Sequence, residues 1–368
     1  MPADQRSTTR YYEELDCWVV WGDVAREALD NRHLSSQTFE VANLSYLSAE
    51  TRERHAPLIE TLRRWFVLLD GEEHRAARRA VQPLFSPRKI RRLEGVVSEI
   101  VERALTEFEE EGGDDAVAGL TDRISARTVA HVLGLPDVDD STLHRWAGAL
   151  SDFLASSYRR QFAESASDAL REMEEFIGAH GRAESLWAPG GDDRDRLATS
   201  SLMLFGGLET TSALISLSLW YMLGHRLQTG VAAPGTEEAA AIVERALEVY
   251  APLGHVARVS LEDTVLGGAR VEKGQLVLVS LHGQDVFEPP ALSDRPVSHC
   301  ARHRTDHVAL GHGVHYCVGA PLARLTAVTV LKLFARRHPE AVVREVRWRR
   351  NRTYRGFEHL RLDLPEPN

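Results

Sequence analysis

Three cysteines in 368 residues are too few for a disulfide framework, which fits a reducing compartment. Linkers are lacking as well. No Gly/Ser-rich or Pro-rich stretch divides the sequence and no repeat is visible, so residues 1–368 read as a single domain, longer than most. Met1 to Arg10 is polar and has no apolar core, so we expect neither a signal peptide nor a membrane anchor, and a cytoplasmic protein. An excess of positive charge is missing too. A formal net charge of −10 argues against general nucleic-acid binding.

What is present is mostly helix. Apolar residues at helical spacing predict helices over Val24 to Leu29, His74 to Val81, Ile90 to Glu110, Ala126 to Leu133, Thr142 to Leu154, Ala166 to Ile177, Leu197 to Leu223, Glu237 to Val249 and Pro321 to Arg337. Strand-like runs lie near Cys17 to Trp21, Thr264 to Val271 with a Gly267-Gly268 turn, Gln275 to Leu281 and Leu360 to Leu364. The expected class is mainly α with small β-sheets.

One cysteine sits in an unusual setting, Leu310-Gly-His-Gly-Val-His-Tyr-Cys-Val-Gly-Ala-Pro-Leu-Ala-Arg324. Gly311 and Gly313 permit backbone conformations and a closeness of approach that side-chain-bearing residues resist, and a flat cofactor fits against such a backbone. Pro321 suits a first helical turn, so Cys317 faces the positive end of the helix that follows. That position favours thiolate, the form that ligates iron. Two other readings compete. A lone cysteine is commonly a small buried hydrophobe. The run His299, Cys300, His303, His307, His312, His315, Cys317 also suggests zinc, although its spacings do not form two clean ligand pairs.

The second informative segment is Phe205-Gly-Gly-Leu-Glu-Thr-Thr-Ser212, within an apolar stretch long enough to raise a membrane-spanning reading. Glu209 and its hydroxyl neighbours argue instead for a buried central helix. Gly206 and Gly207 each give up roughly 1 kcal/mol of helix propensity relative to Ala, so something must approach that backbone, a second helix being sufficient. A carboxylate and hydroxyls in an apolar helix are costly unless they handle water or protons. A third feature is basic: Arg75, Arg78, Arg79, Arg88, Lys89, Arg91 and Arg92 concentrate in one segment. They read either as a solvated helix face or as cations meeting an anionic group and an acidic partner. His74 and Arg78, four apart, share a helix face.

The cysteine loop resembles the heme-binding signature of the cytochrome P450 family, Phe-Gly-x-Gly-x-His-x-Cys-x-Gly followed by Leu-Ala-Arg, and the Gly-Gly-Leu-Glu-Thr run resembles that family's oxygen-activation segment. The resemblance spans nearly the whole chain. It implies the P450 fold in a compact variant and a heme b cofactor with Cys317 as the iron ligand. Gly206 and Gly207 would open a groove for dioxygen, Glu209 would relay protons, and Thr210 would offer its hydroxyl beside the oxygen site. His74, Arg78, Arg258 and His307 would meet the heme carboxylates. The implied activity is a monooxygenase of the bacterial soluble class. It inserts one oxygen atom into a small organic substrate, an intermediate of specialised metabolism either free or carrier-tethered, with electrons from a ferredoxin and its reductase. Oxidative coupling or desaturation by the same chemistry, a catalytically idle binding module and a zinc protein are the alternatives. Substrate-contacting segments are expected in Gln37 to Phe66, Ala147 to Arg160 and Pro252 to Val256.

Three departures from the family pattern stand out. Leu310 occupies the position of the signature Phe. The usual Glu-x-x-Arg is reversed to Arg245-Ala-Leu-Glu248, which allows a local ion pair but withdraws a guanidinium from the segment where Arg295 or Arg302 lie. The short segment Gly178 to Arg194 predicts a missing or reduced helix.

Overall fold

A computed structural model describes residues 8–135, 138–156, 159–180, 192–229, 233–287, 307–349 and 353–365. The helices run in chain order as α1 (Asp23–Asp30), α2 (Phe39–Ala42), α3 (Ala49–Arg54), α4 (Ala56–Arg63), α5 (Gly71–Val81), α6 (Pro87–Glu110), α7 (Asp122–Leu133), α8 (Asp140–Ala155), α9 (Arg160–His180), α10 (Asp193–Thr229), α11 (Thr236–Tyr250) and α12 (Ala320–Arg337). The strands are β1 (Thr9–Tyr12), β2 (Cys17–Val20), β3 (Leu34–Ser35), β4 (His255–Ser260), β5 (Thr264–Leu266), β6 (Ala269–Val271), β7 (Leu276–Ser280), β8 (Val342–Trp348) and β9 (Phe357–Asp363). Local chemistry sets several ends. The Asp139 carboxylate accepts from the Thr142 amide at 2.9 Å to cap α8, and Ser48 Oγ accepts from Thr51 N at 3.1 Å to cap α3. Helix α7 stops at Gly134, whose φ of 61° is left-handed.

Five strands form one sheet in the order β1-β2-β7-β4-β3, with β2 parallel to β7 and every other pair antiparallel. The hairpin β5-β6 turns on Gly267 and Gly268, both at positive φ, as a two-residue turn demands. Strands β8 and β9 make a separate antiparallel pair.

The nine predicted helices and the four strand-like runs all have counterparts, most of them longer by a few residues. Strands β1, β3, β4 and β8 and helices α2 to α4 were not foreseen. β4 and β8 interleave Arg, His and Glu with Val, which hides the alternation of a half-buried strand, and α2 and α3 are too short to show a period. Arg258, expected just before a strand, stands inside β4 opposite Val277. Helix α9 ends at His180 and α10 begins at Asp193. The rest of the predicted reduced segment lies outside the described residues, as do His299, Cys300, His303, Arg295 and Arg302.

Helix α10 organises the interior. Its first half, Leu197 to Leu208, belongs to a hydrophobic cluster with α4, α7, α8 and α9, and its second half, Leu214 to Leu223, to another with α6, α11, α12 and the sheet. Part of it, Asp193–His225, is long and apolar enough to cross a membrane, but 67% of its most apolar window is buried inside the protein, so it serves as a core helix. Leu310 packs against one cluster and Val318 against the other. Cys317 therefore lies where the two cores meet.

Candidate active site around Cys317

The loop before α12 is built by its own backbone. Gly311 N donates to Val308 O at 2.8 Å and Cys317 N to Leu310 O at 2.8 Å, while a short 3-10 turn occupies Gly313–His315. Gly311 has φ +77°, and a Cβ there would come within 3.2 Å of His315 O. Gly313, at φ +62°, would place a Cβ 2.7 Å from Asp30 Oδ1. Both glycines are thus required by the loop's own fold.

Cys317 is exposed as a residue, yet the protein packed around it desolvates its sulfur. That desolvation pushes the free thiol's pKa up, against the opposing pull of the Gly319 and Ala320 amides and of Arg78 and Arg324. A cation at the sulfur reverses this balance, because a coordinating thiol is deprotonated outright. A Cβ on Gly319 would sit 3.9 Å from Cys317 Sγ and 3.8 Å from Phe85, ordinary contact distances.

A basic group surrounds the approach to this loop. His74 is 2% exposed, and its Nε2 is buried with no hydrogen-bond partner. Burial first, then the nearby His315 and Arg78, push its pKa down to about 4. The His74 and His315 rings lie 4.2 Å apart. Arg258 is 6% exposed, and burial pushes its pKa down to about 10; its Nη1 donates to Ala257 O at 2.7 Å. Arg78 Nη2 donates to Tyr316 O at 2.5 Å, and its guanidinium lies 5.9 Å from the Phe66 ring centre. Among the described residues no carboxylate pairs with Arg78 or Arg258. One buried guanidinium (Arg258) and one half-buried (Arg78), neither ion-paired to a carboxylate, beside a buried imidazole nitrogen without a partner, form a set that fits a ligand carrying its own carboxylates. The donor chemistry suits the two propionates of a heme whose iron is held by Cys317.

Two further members of this cluster escaped sequence reasoning as individual residues. His315 was singled out only within the signature and the His-rich run; its Nε2 lies 3.0 Å from Ser36 Oγ and 3.7 Å from Asp70 Oδ1. Asp70 sits at the start of α5, where it reads as an ordinary cap, yet its carboxylate accepts from the Ser35 hydroxyl and the Ser36 amide. Burial would raise the Asp70 pKa, but the hydrogen bonds from His315, Ser35 and Ser36 outweigh it and bring it down to about 2.

His307 does not join the cluster. Its Nδ1 accepts from Ala309 N at 3.3 Å, which leaves Nε2 as the donor to Glu244 Oε2 at 3.1 Å. The other described histidines of the His-rich run also diverge. His312 lies 2.9 Å from Asp30 and His315 faces Ser36, so they converge on no common point.

On α10 the two glycines part ways. Gly206 is exposed, and a Cβ there would meet nothing within 4 Å. At Gly207 a Cβ would lie 2.8 Å from Val129 Cγ2, so the smallness of this residue serves the packing of α7 on α10. Thr210 Oγ1 donates to Gly206 O at 2.5 Å, spending its proton and leaving its lone pairs free. Glu209 projects toward α8 and the end of β8. Its Oε1 would lie 3.8 Å from a Cβ on Gly148, and its Oε2 is 3.7 Å from Arg349 Nη1. Burial raises the Glu209 pKa, Arg349 partly offsets this, and Asp152 and Asp122 add to it. A carboxyl of this kind retains a proton further toward neutral pH than an ordinary glutamate. Phe205 packs on Trp65 at 4.8 Å and edge-on to Tyr354 at 5.9 Å, forming an aromatic wall next to Gly206 in the chain.

The reversed pair is formed as expected, with Arg245 Nη1 2.5 Å from Glu248 Oε2 within α11.

Comparison with known proteins agrees with this arrangement. No family model matches the chain. Among curated proteins it is 30% identical over 280 residues to cytochrome P450 165B3 of Amycolatopsis orientalis, covering 73% of this chain and 70% of that one. It is 27% identical over 315 residues to the polyketide biosynthesis cytochrome P450 PksS of Bacillus subtilis, covering 80% and 76%. Among solved structures it matches P450BioI in complex with a fatty-acid-ligated acyl carrier protein at a TM-score of 0.81, with 21% identity over 95% of this chain and 92% of the other. The shared fold and the extent of the sequence match lead to one assignment: the chain belongs to the cytochrome P450 family of monooxygenases.

Proposed function

We propose that the chain is a single-domain, cytoplasmic heme-thiolate monooxygenase that inserts one oxygen atom into a small organic substrate of specialised metabolism. The observation that carries this reading is the pairing of Cys317, lodged at the amino-terminal amides of α12, with the basic set His74, Arg78 and Arg258, none of which is ion-paired to a protein carboxylate among the described residues. When bound, the heme supplies the one-electron and dioxygen chemistry. The protein's own groups do the rest. Cys317 provides the sulfur ligand; His74, Arg78 and Arg258 meet the propionates and fix the orientation of the ring; Gly206 leaves space along α10.

Glu209 and Thr210 manage protons. The raised pKa of Glu209 lets it hold a proton at its carboxyl and release it without a large penalty. Thr210, whose hydroxyl proton is committed to Gly206 O, keeps its lone pairs free and can hand on a proton by rotating that hydroxyl. Trp65, Phe205 and Tyr354 make the surroundings apolar and limit water.

Electrons come, in this proposal, from a ferredoxin and its reductase. The basic residues Arg88, Lys89, Arg91 and Arg92 at the start of α6 suit an acidic electron carrier. A carrier-tethered substrate is the favoured form of the small molecule. The structure of P450BioI with its acyl carrier protein and the polyketide role in the name of PksS support that choice.

The test is the absorption spectrum of purified protein reduced with dithionite under carbon monoxide. A far-red-shifted Soret band, lost in Cys317→Ala at equal protein concentration, is the expected result. A colourless protein after expression with a heme precursor, or a band unchanged in Cys317→Ala, overturns the reading.

A further inference from the structure

One carboxylate touches both ends of the Cys317 loop. Glu244, on α11, receives Arg324 Nε at Oε1 (2.5 Å) and Arg324 Nη2 at Oε2 (3.0 Å), a two-pronged contact with the first turns of α12. The same Oε2 accepts from His307 Nε2 at 3.1 Å. His307 stands ten residues before Cys317 and Arg324 seven after it. Arg324 then reaches back into the loop, donating through Nη1 to the Tyr316 hydroxyl at 2.9 Å. Tyr316 is also held at its backbone oxygen by Arg78, so the residue adjoining Cys317 is fixed from two sides.

The neighbouring reversed pair is closed within one helix. Arg245 and Glu248 are three apart on one helix and bond to each other, with side chains only 12% and 21% exposed. Glu244, one position before Arg245, points its charge across to α12 instead. Its charge is well anchored: burial alone would raise the Glu244 pKa, yet the Arg324 and His307 hydrogen bonds bring it down to about 2.

We infer that Glu244 is the positioning residue of the Cys317 loop, clamping His307 and Arg324 so that Tyr316 and the sulfur keep a fixed orientation. This rests on the reading of Cys317 as heme ligand only for its spectroscopic consequence; the mechanical claim concerns the protein alone.

The experiment therefore has two arms. In the first, amide hydrogen exchange is measured on the protein and its Glu244→Gln variant across residues 307–324. Exchange in Glu244→Gln should accelerate by roughly tenfold in this loop, the factor carried by losing about one charge-assisted hydrogen bond, while the core of α10 stays within twofold of the parent. In the second, the reduced carbon monoxide spectrum is recorded. Glu244→Gln should shift a substantial share of the signal from the thiolate-ligated band to the blue-shifted band of protein that has lost thiolate ligation, and Glu244→Asp should restore most of it.

Loop exchange within twofold of the parent, or acceleration spread evenly over the whole protein, overturns the inference. If Glu244→Gln does not fold, Arg324→Lys, which keeps the charge and loses the two-pronged contact, gives the same two readouts under the same criteria. A parent protein with no thiolate-ligated band defeats the heme reading but leaves the exchange arm to decide the clamp.

Discussion

Glu209 Oε2 lies 3.7 Å from Arg349 Nη1, close enough for attraction and too far for a hydrogen bond. The relationship joins the middle of α10 to the end of β8, two elements with no sequence signal linking them. Arg349 is fixed separately, its Nε donating to Phe357 O at 3.2 Å. Glu209 is thus a buried carboxyl with a cation near enough to steady its ionised form but not to lock it.

This gives a pH dependence with a definite sign. Burial raises the folded-state pKa of Glu209 above its unfolded value, so folding favours the protonated form. The resulting stability is fully present below the unfolded pKa and is lost as pH rises through the folded one. Glu209→Gln cannot ionise. The melting temperature of Glu209→Gln minus that of the parent should therefore become more positive from about pH 4 to pH 8, the interval spanning ordinary and raised carboxyl pKa values. A difference that becomes more negative over that interval contradicts the assignment.

Removing a cation at the basic cluster should move stability and cofactor retention in opposite directions. Arg258 is buried, with Asp70 offsetting its burial only at a distance and no carboxylate in ion-pair contact, which costs the ligand-free protein. Arg258→Met should stabilise the heme-free form by on the order of 1 kcal/mol, and heme should leave the loaded protein about tenfold faster as one propionate contact is lost. Thermal unfolding of the heme-free protein and heme transfer to an apo-globin acceptor measure the two effects. Loss of stability together with unchanged heme transfer would show that Arg258 is an ordinary core residue.

How much of this was legible beforehand can be judged residue by residue. The long helices were, because their apolar period repeats several times. β4 and β8 were not, since Arg, His, Ser and Glu interrupt their valines and blur the two-residue alternation of a half-buried strand. The cysteine loop was readable as a motif because close backbone approach demands glycine at fixed places, and Gly311 and Gly313 occupy left-handed conformations. The partners of each motif were less visible. Nothing in the sequence marks Glu244 as the residue facing His307 and Arg324, or Arg349 as the one facing Glu209, because each is brought there by packing between elements far apart in the chain. His307 illustrates the cost. Proximity to the signature suggested a heme carboxylate as its partner, and a protein carboxylate holds it instead.

The two glycines of α10 should respond oppositely to the same methyl group. Gly206→Ala adds a Cβ into open space and gains helix propensity, so it should stabilise the protein by about 0.5–1 kcal/mol. Gly207→Ala drives a Cβ to 2.8 Å from Val129 Cγ2, an overpacking that should cost about 1–3 kcal/mol. The double variant Val129→Ala/Gly207→Ala should recover part of that cost relative to the two single variants. Denaturant unfolding of all four variants decides the matter, and additivity at residues 129 and 207 would remove the contact as the cause.

Thr210 separates a structural role from a chemical one. Its hydroxyl donates to Gly206 O within the same helix, a contact of little value to folding, since Ser and Thr hydroxyls in helices often bond in this way. Thr210→Ala should therefore leave the melting temperature nearly unchanged. In turnover, once a substrate is in hand, the same variant should consume reductant at a rate near that of the parent while converting a several-fold smaller share of it into product, the remainder appearing as peroxide or water. Thr210→Ser keeps the hydroxyl and should return most of the coupling. The pattern matters more than either value. A stable variant with parent-like coupling would release Thr210 from proton handling and leave Glu209 alone in that role, whereas a destabilised variant with parent-like coupling would mark the hydroxyl as part of the scaffold.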